Sequence, residues 1–180
     1  QIDELAAKYD REVKWHPFYL WSIAMKVGFD RPMLAFPIKG PYFQHDIPRT
    51  ARLFGISPWN VAEVGKVKPA LLGRAFYWLA DRDEAKAKEF AMAIYHQIYS
   101  EAHVPEQKDV LAAAAKLGFD ENELAEALES DEMKERYRRE TDLAEEKGVF
   151  GSPFFIVDDE PFWGSDRLWM VEKWLADGGW

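Results

Sequence analysis

The sequence predicts an α/β fold in the order α-β, helical block, β-β-α. Three observations predict it. A helical stripe followed by an alternating apolar run opens the chain, a long central stretch carries helical periodicity, and a short apolar run closed by a two-residue turn stands near the end.

Ile2, Leu5, Ala6 and Tyr9 fall at i, i+3, i+4 and i+7, the stripe of an amphipathic helix, and no N-cap stands before it. Val13–Leu20 (VKWHPFYL) alternates and then turns continuously apolar, which predicts a strand with Pro17 near its end. Residues 28–41 hold three Pro and two Gly and read as loop. From about Pro41 to Gly148 nearly everything reads as helix. Pro69 opens a segment with Leu72, Phe76 and Leu79 on one side, and Asp83 to Ser100 spaces Phe90, Ile94 and Ile98 four apart. Asp120 with Glu123 has capping-box spacing, Ser130 or Asp131 caps the last long helix, and Gly148 ends it. Phe154 to Val157 is a short strand, apolar on both faces and so expected to be buried on both. Asp158-Asp159 forms a two-residue turn, Glu160 to Trp163 returns as the partner strand, and Asp166 caps a final helix ended by Gly178-Gly179.

Composition bounds the function. The chain has 180 residues with 23 Lys+Arg against 32 Asp+Glu, a formal charge of −9. That balance argues against broad binding to nucleic-acid phosphates, and any anion site must be local. No stretch approaches the ~20 apolar residues of a membrane span, and no basic-then-apolar leader opens the chain. With no Cys, these 180 residues exclude disulfides, thiolate metal sites and a Cys nucleophile among themselves. The four histidines, His16, His45, His96 and His103, show no metal-ligand spacing, so no metal is expected. Aromatic residues make up 15% of the chain, which suits a large core and a flat ligand pocket. Phe36, Tyr42, Phe43, Trp59 and Trp78 read mainly as core, with one or two free to line a cleft.

Chemistry concentrates in Gly148 to Arg167, GVFGSPFFIVDDEPFWGSDR. A hairpin closed through Asp158-Asp159 pairs Val157 with Glu160 and Phe154 with Trp163. Strands lie roughly 4.8 Å apart, so Ser152-Pro153 comes beside Gly164-Ser165-Asp166. A proline just before a strand costs a ladder bond unless its missing N–H is not needed. A cis Ser152-Pro153 bond would turn the Ser152 amide outward, and the residues alone leave cis and trans open. Ser165 and Asp166 read first as helix capping. They also suit a zwitterionic α-amino acid, with backbone N–H groups on its carboxylate and the Asp carboxylate on its ammonium.

The ending GVFGSP with FWGSDR, the strand WHPFYL and the loop PIKG before Tyr42 resemble the 2-hydroxychromene-2-carboxylate isomerase and kappa-class glutathione transferase family, a branch of the DsbA-like thioredoxin folds. The resemblance covers essentially the whole chain. It implies a thioredoxin-like domain built from residues 1–40 and 148–180, with 41–147 as an inserted all-helical domain. It implies glutathione extended along a cis Pro153, with Ser152 on the cysteinyl backbone, Ser165 and Asp166 on the γ-glutamyl end, and Trp163 and Gly164 shaping that corner. Lys39 matches a family lysine that reaches glutathione or an anionic substrate. Partners would be glutathione and a small hydrophobic or aromatic substrate, in a cytoplasmic homodimer.

Family members often carry Asn in the loop that here reads Gly28-Phe29-Asp30-Arg31-Pro32, and open with Asn or Asp the helix that here opens at Lys68-Pro69. Arg74 matches a recurrent arginine. A thioredoxin fold begins with a strand and the first turn of its first helix, where the reacting sulfur sits. Both are expected to precede Gln1, together with a catalytic Ser. The function so implied is a glutathione-dependent isomerase or transferase acting on an unsaturated or aromatic electrophile. A dithiol-disulfide oxidoreductase with Cys-x-x-Cys in the preceding segment and a non-catalytic thioredoxin-like binding module are the alternatives.

Overall fold

The computed structural model describes residues 1–56 and 58–180. Its helices are α1 (Ile2–Ala7), α2 (Leu20–Lys26), α3 (Lys39–Leu53), α4 (Pro69–Ala80), α5 (Glu84–Tyr99), α6 (Gln107–Lys116), α7 (Glu121–Glu129), α8 (Asp131–Glu146) and α9 (Leu168–Asp177). Between α8 and α9 lie β1 (Phe154–Val157) and β2 (Glu160–Trp163), an antiparallel pair and the only sheet among the described residues.

The helical block forms around α4, which packs against α5, α6, α7 and α8. Its sequence explains the position. Leu71, Gly73, Ala75, Phe76, Tyr77, Trp78 and Leu79 are all buried, and a helix apolar on nearly every side must lie inside. Gly73 lets the Tyr137 ring of α8 lie directly on the α4 backbone, in the space a Cβ would fill. The surrounding helices start where capping chemistry starts them. Asp83 accepts from the Lys86 amide, Asp120 from those of Asn122 and Glu123, and Ser130 from that of Met133. Gly148, at φ 73°, follows α8 in the left-handed conformation that ends a helix.

A second core joins α1, β2 and α9 through Leu5, Phe162 and Val171. A third, smaller cluster of Ile23, Ala144 and Val149, with Phe18 and Phe154 against it, ties α2 and the end of α8 to β1. This third cluster seats the hairpin on the helical block.

Four sequence expectations are corrected. The strand expected over Val13–Leu20 does not form, because a strand needs a hydrogen-bonded neighbour and residues 11–19 have none among the described residues. Side chains take its backbone groups instead. The Tyr77 hydroxyl donates to the Pro17 carbonyl (2.8 Å), the Lys88 ammonium to that of Val13 (2.6 Å), and the Tyr19 amide donates to the Thr141 hydroxyl (3.0 Å). β1 is not buried on both faces, since Ile156 remains 39% exposed while Phe155 and Val157 pack on the second core. Of the five aromatics read mainly as core only Trp78 is buried, and Tyr42 is 58% exposed on α3. Asp166 does not cap the last helix. A short turn, Ser165–Arg167, precedes α9 and places Asp166 within it, where its carboxylate pairs with Arg167.

Two predictions follow from this packing. Leu128 is fully buried between helices, so Leu128→Ala should lower unfolding free energy in urea by about 2–5 kcal/mol; a loss under 1 kcal/mol would contradict the packing. Burial pushes the Tyr77 phenol far above its ordinary value, and pushes Tyr137 up to about 12 with the Tyr19 phenol adding to it. Both groups hold their protons more tightly folded than unfolded. Their contribution is therefore intact below pH 10, the ordinary phenol value, and is lost as pH rises through about 12. Melting temperature measured across that window should fall, and a flat profile would refute the burial.

Candidate functional site

The hairpin builds the site. Its turn residues Asp158 and Asp159 both have positive φ, 49° and 68°, which suits the two-residue loops whose twist matches the strands. The register is Val157 with Glu160, Ile156 with Pro161, Phe155 with Phe162 and Phe154 with Trp163. Arg11 holds the turn from outside through paired bonds of 3.0 and 2.8 Å to the Asp158 carboxylate.

Continued one step past the sheet, this register joins the two loops. The Gly164 amide donates to the Pro153 carbonyl at 3.0 Å, so the segment 150–153 lies beside 163–166. The Ser152-Pro153 peptide bond is cis. Ser152, Pro153, Ser165 and Asp166 are exposed, and Trp163 is 51% exposed. The result is an open ledge on which two serines and one aspartate are exposed.

Close packing fixes its shape. The Trp163 indole occupies the space where a Cβ on Gly151 would stand, and Phe150 meets the same indole edge-on at 4.9 Å between ring centres. Phe150 also packs edge-on against Phe154 at 5.4 Å. Gly164 has φ 99° and ψ 148°, a conformation open essentially to glycine alone, and its missing side chain leaves room for the Asp166 carboxylate. Arg167 pairs with that carboxylate. Such a pair is exposed and exchangeable, so Asp166 remains open to an incoming ammonium.

The structure thus brings together Ser152, Pro153, Trp163, Gly164, Ser165 and Asp166. Among the described residues no hydrogen bond or ion pair joins Lys39 to them, and Lys39 is exposed at the first position of α3. Sequence reading missed Phe150, Gly151 and Arg167 as shaping residues. The signal for Gly151 was available in the repeated small residue of GVFGSP, whereas the Phe150–Trp163 contact depends on tertiary geometry. No group of His, Asp and Glu able to hold a metal ion occurs among the described residues. His16, His96 and His103 pair with Glu140, Glu101 and Asp109. No helix among these residues is long and apolar enough to cross a membrane.

Comparison with known proteins bears on this geometry. The model of the DSBA-like thioredoxin domain matches residues 1–176. A 2-hydroxychromene-2-carboxylate isomerase of Pseudomonas putida is 28% identical over 175 residues, covering 96% of this chain and 84% of that protein. Another of that name from Sphingobium xenophagum is 34% identical over 136 residues, 74% of this chain and 62% of its own length. Glutathione s-transferase kappa 2 of Caenorhabditis elegans is 24% identical over 177 residues, covering 92% and 79%. A solved structure of 2-hydroxychromene-2-carboxylate isomerase superposes with a TM-score of 0.82 at 27% identity, covering 97% of this chain and 85% of that one.

The ledge's backbone can be tested directly. Gly164→Ala forces a Cβ into a glycine-only conformation and against Asp166. It should cost about 1–3 kcal/mol in chemical denaturation. An unchanged midpoint would show that the two loops are not held as described.

Proposed function

The chain belongs to the DsbA-like thioredoxin-domain family, and from that premise we propose that it is a glutathione-dependent isomerase or transferase acting on an unsaturated, aromatic electrophile. One observation carries the reading: the hairpin register and the Gly164–Pro153 hydrogen bond set an extended backbone edge beside a carboxylate. A peptide thiol with an amino-acid head needs both within its own length. The names of the relatives, isomerases and a kappa glutathione transferase, favour this chemistry over dithiol exchange.

The exposed donor set fits the tripeptide. Ser152 would pair through its backbone with the cysteinyl residue, alongside Pro153. The Ser165 hydroxyl and the amides of the Ser165–Arg167 turn would receive the γ-glutamyl carboxylate, while Asp166 accepts from the ammonium. Arg167, now on Asp166, would turn to the ligand carboxylate when the ammonium takes its place. Trp163, braced by Phe150, walls the corner, and Gly164 keeps it open. Bound glutathione supplies a thiolate that adds to an electrophilic carbon of the substrate. Lys39 is the cation assigned to the charge developing on the substrate oxygen. The proposal takes residues 1–40 and 148–180 as the thioredoxin-like part and 41–147 as the helical insertion, and places a homodimer in the cytoplasm.

Isothermal titration with glutathione tests the site. Ser165→Ala and Asp166→Ala should each weaken binding, Asp166→Ala by about tenfold or more, since a charged partner is left without its hydrogen bonds. Equal affinity in the wild type and both variants would remove the γ-glutamyl site.

A further inference from the structure

Phe150 and Trp163 stand outside the packing that holds the molecule together. Among the described residues neither belongs to any of the three apolar clusters, and both rings are exposed. Each therefore contributes to the fold only part of what a core ring contributes. Their positions are nevertheless set by definite contacts.

Phe150 is anchored through its backbone and through its ring. The chain leaves α8 by two bonds of 2.9 Å, from the Gly148 amide to the Glu145 carbonyl and from the Val149 amide to that of Ala144. Val149 is then buried in the third cluster beside Ile23 and Ala144, which sets where Phe150 begins. Its ring meets that of Phe154 edge-on at 5.4 Å, and Phe154 packs on the same cluster.

Two contacts orient Trp163. Phe154 and Trp163 stand directly opposite each other in the hairpin, so their side chains share one face. On that face the Phe150 ring meets the indole at 4.9 Å between centres, with 65° between the planes. On the other side the Gly151 backbone receives the pyrrole edge of the indole, whose Nε1 and neighbouring carbons lie where a Cβ would stand.

A side chain standing half in water samples its rotamers unless neighbours forbid them. Three wells at χ1 and two broad orientations at χ2 give an indole about six arrangements. A wall that exists in only a fraction of the molecules weakens ligand binding by that fraction. A ring that confines the indole to one arrangement preorganises the corner without being part of its binding surface.

We propose that Phe150 is a positioning residue for the amino-acid corner of the ledge: it holds the Trp163 indole against Gly151 and, through that indole, sets the affinity for glutathione. The row Phe154, Phe150, Trp163 carries the position of the third cluster out to the ligand. The inference rests on the preceding reading for the identity of the ligand, and not for the bracing of the indole.

A double-mutant cycle tests the proposal, with glutathione affinity measured by titration calorimetry on the wild type, Phe150→Ala, Trp163→Ala and the double variant. Phe150→Ala should weaken binding about three- to sixfold, as the freed indole spreads over its rotamers. In the Trp163→Ala background the same substitution should change nothing, because the group it acts through is gone. Phe150→Tyr keeps the ring and should bind as the wild type does. NMR relaxation of the Trp163 indole N–H, measured without ligand, should show a more mobile ring in Phe150→Ala and wild-type order in Phe150→Tyr. Circular dichroism melting curves establish that each variant is folded, and Phe150→Leu replaces Phe150→Ala in the cycle if the latter is not. An equal effect of Phe150→Ala in both backgrounds, a Phe150→Tyr variant as weak as Phe150→Ala, or an indole equally ordered with and without the Phe150 ring would overturn the proposal. No glutathione binding by the wild type, with the indole loosened as stated, would strike the glutathione reading and leave the hold of Phe150 on Trp163 standing.

Discussion

The register of one hairpin, two four-residue strands joined by Asp158-Asp159, governs the geometry of the site. Two aspartates with positive φ close the turn, and that closure leaves no freedom in how β1 and β2 pair. A slip of one residue would turn Phe162 out of the second core, where it packs with Leu5 and Val171, and would separate Pro153 from Gly164. The burial of Phe162 and the ledge beside Trp163 are therefore two faces of the same constraint. Arg11 on Asp158 adds little by itself, being an exposed ion pair. The apolar packing of Phe155, Val157 and Phe162 supplies the larger share.

The hairpin holds its place on the helical block through a few residues. Phe154 and Phe18 sit on Ile23, Ala144 and Val149, so the last turn of α8 positions the start of β1. Gly148 ends α8 and directs the chain into the loop that carries Gly151, Ser152 and Pro153. The helical block has its own core around α4, to which no hairpin residue contributes among the described residues. The ledge remains open because its side chains are exposed and its one carboxylate is paired with an exposed arginine.

Much of this was legible in the residues. Asp83, Asp120 and Ser130 mark helix starts by the chemistry of their side chains, and Gly148 marks an end by its tolerance of positive φ. The hairpin register followed from counting outward from Asp158-Asp159, because the side-chain period of a strand is two. What the sequence could not disclose depended on partners. Val13–Leu20 has the pattern of a strand, but a strand exists only by pairing, and side chains of Tyr77 and Lys88 take its carbonyls instead. Asp166 has the composition of an N-cap, yet a short preceding turn and its neighbour Arg167 claim the carboxylate. Tyr42 and Trp78 are alike in composition, and only the packing around α4 separates an exposed ring from a buried one.

The most direct measurement is an amide NMR titration of the isotope-labelled protein with glutathione. The account predicts that the largest shift changes fall on the amides of Ser152, Gly164, Ser165 and Asp166, with the Trp163 indole following them. Saturable binding that leaves those amides unmoved, or no binding in millimolar glutathione, would contradict it.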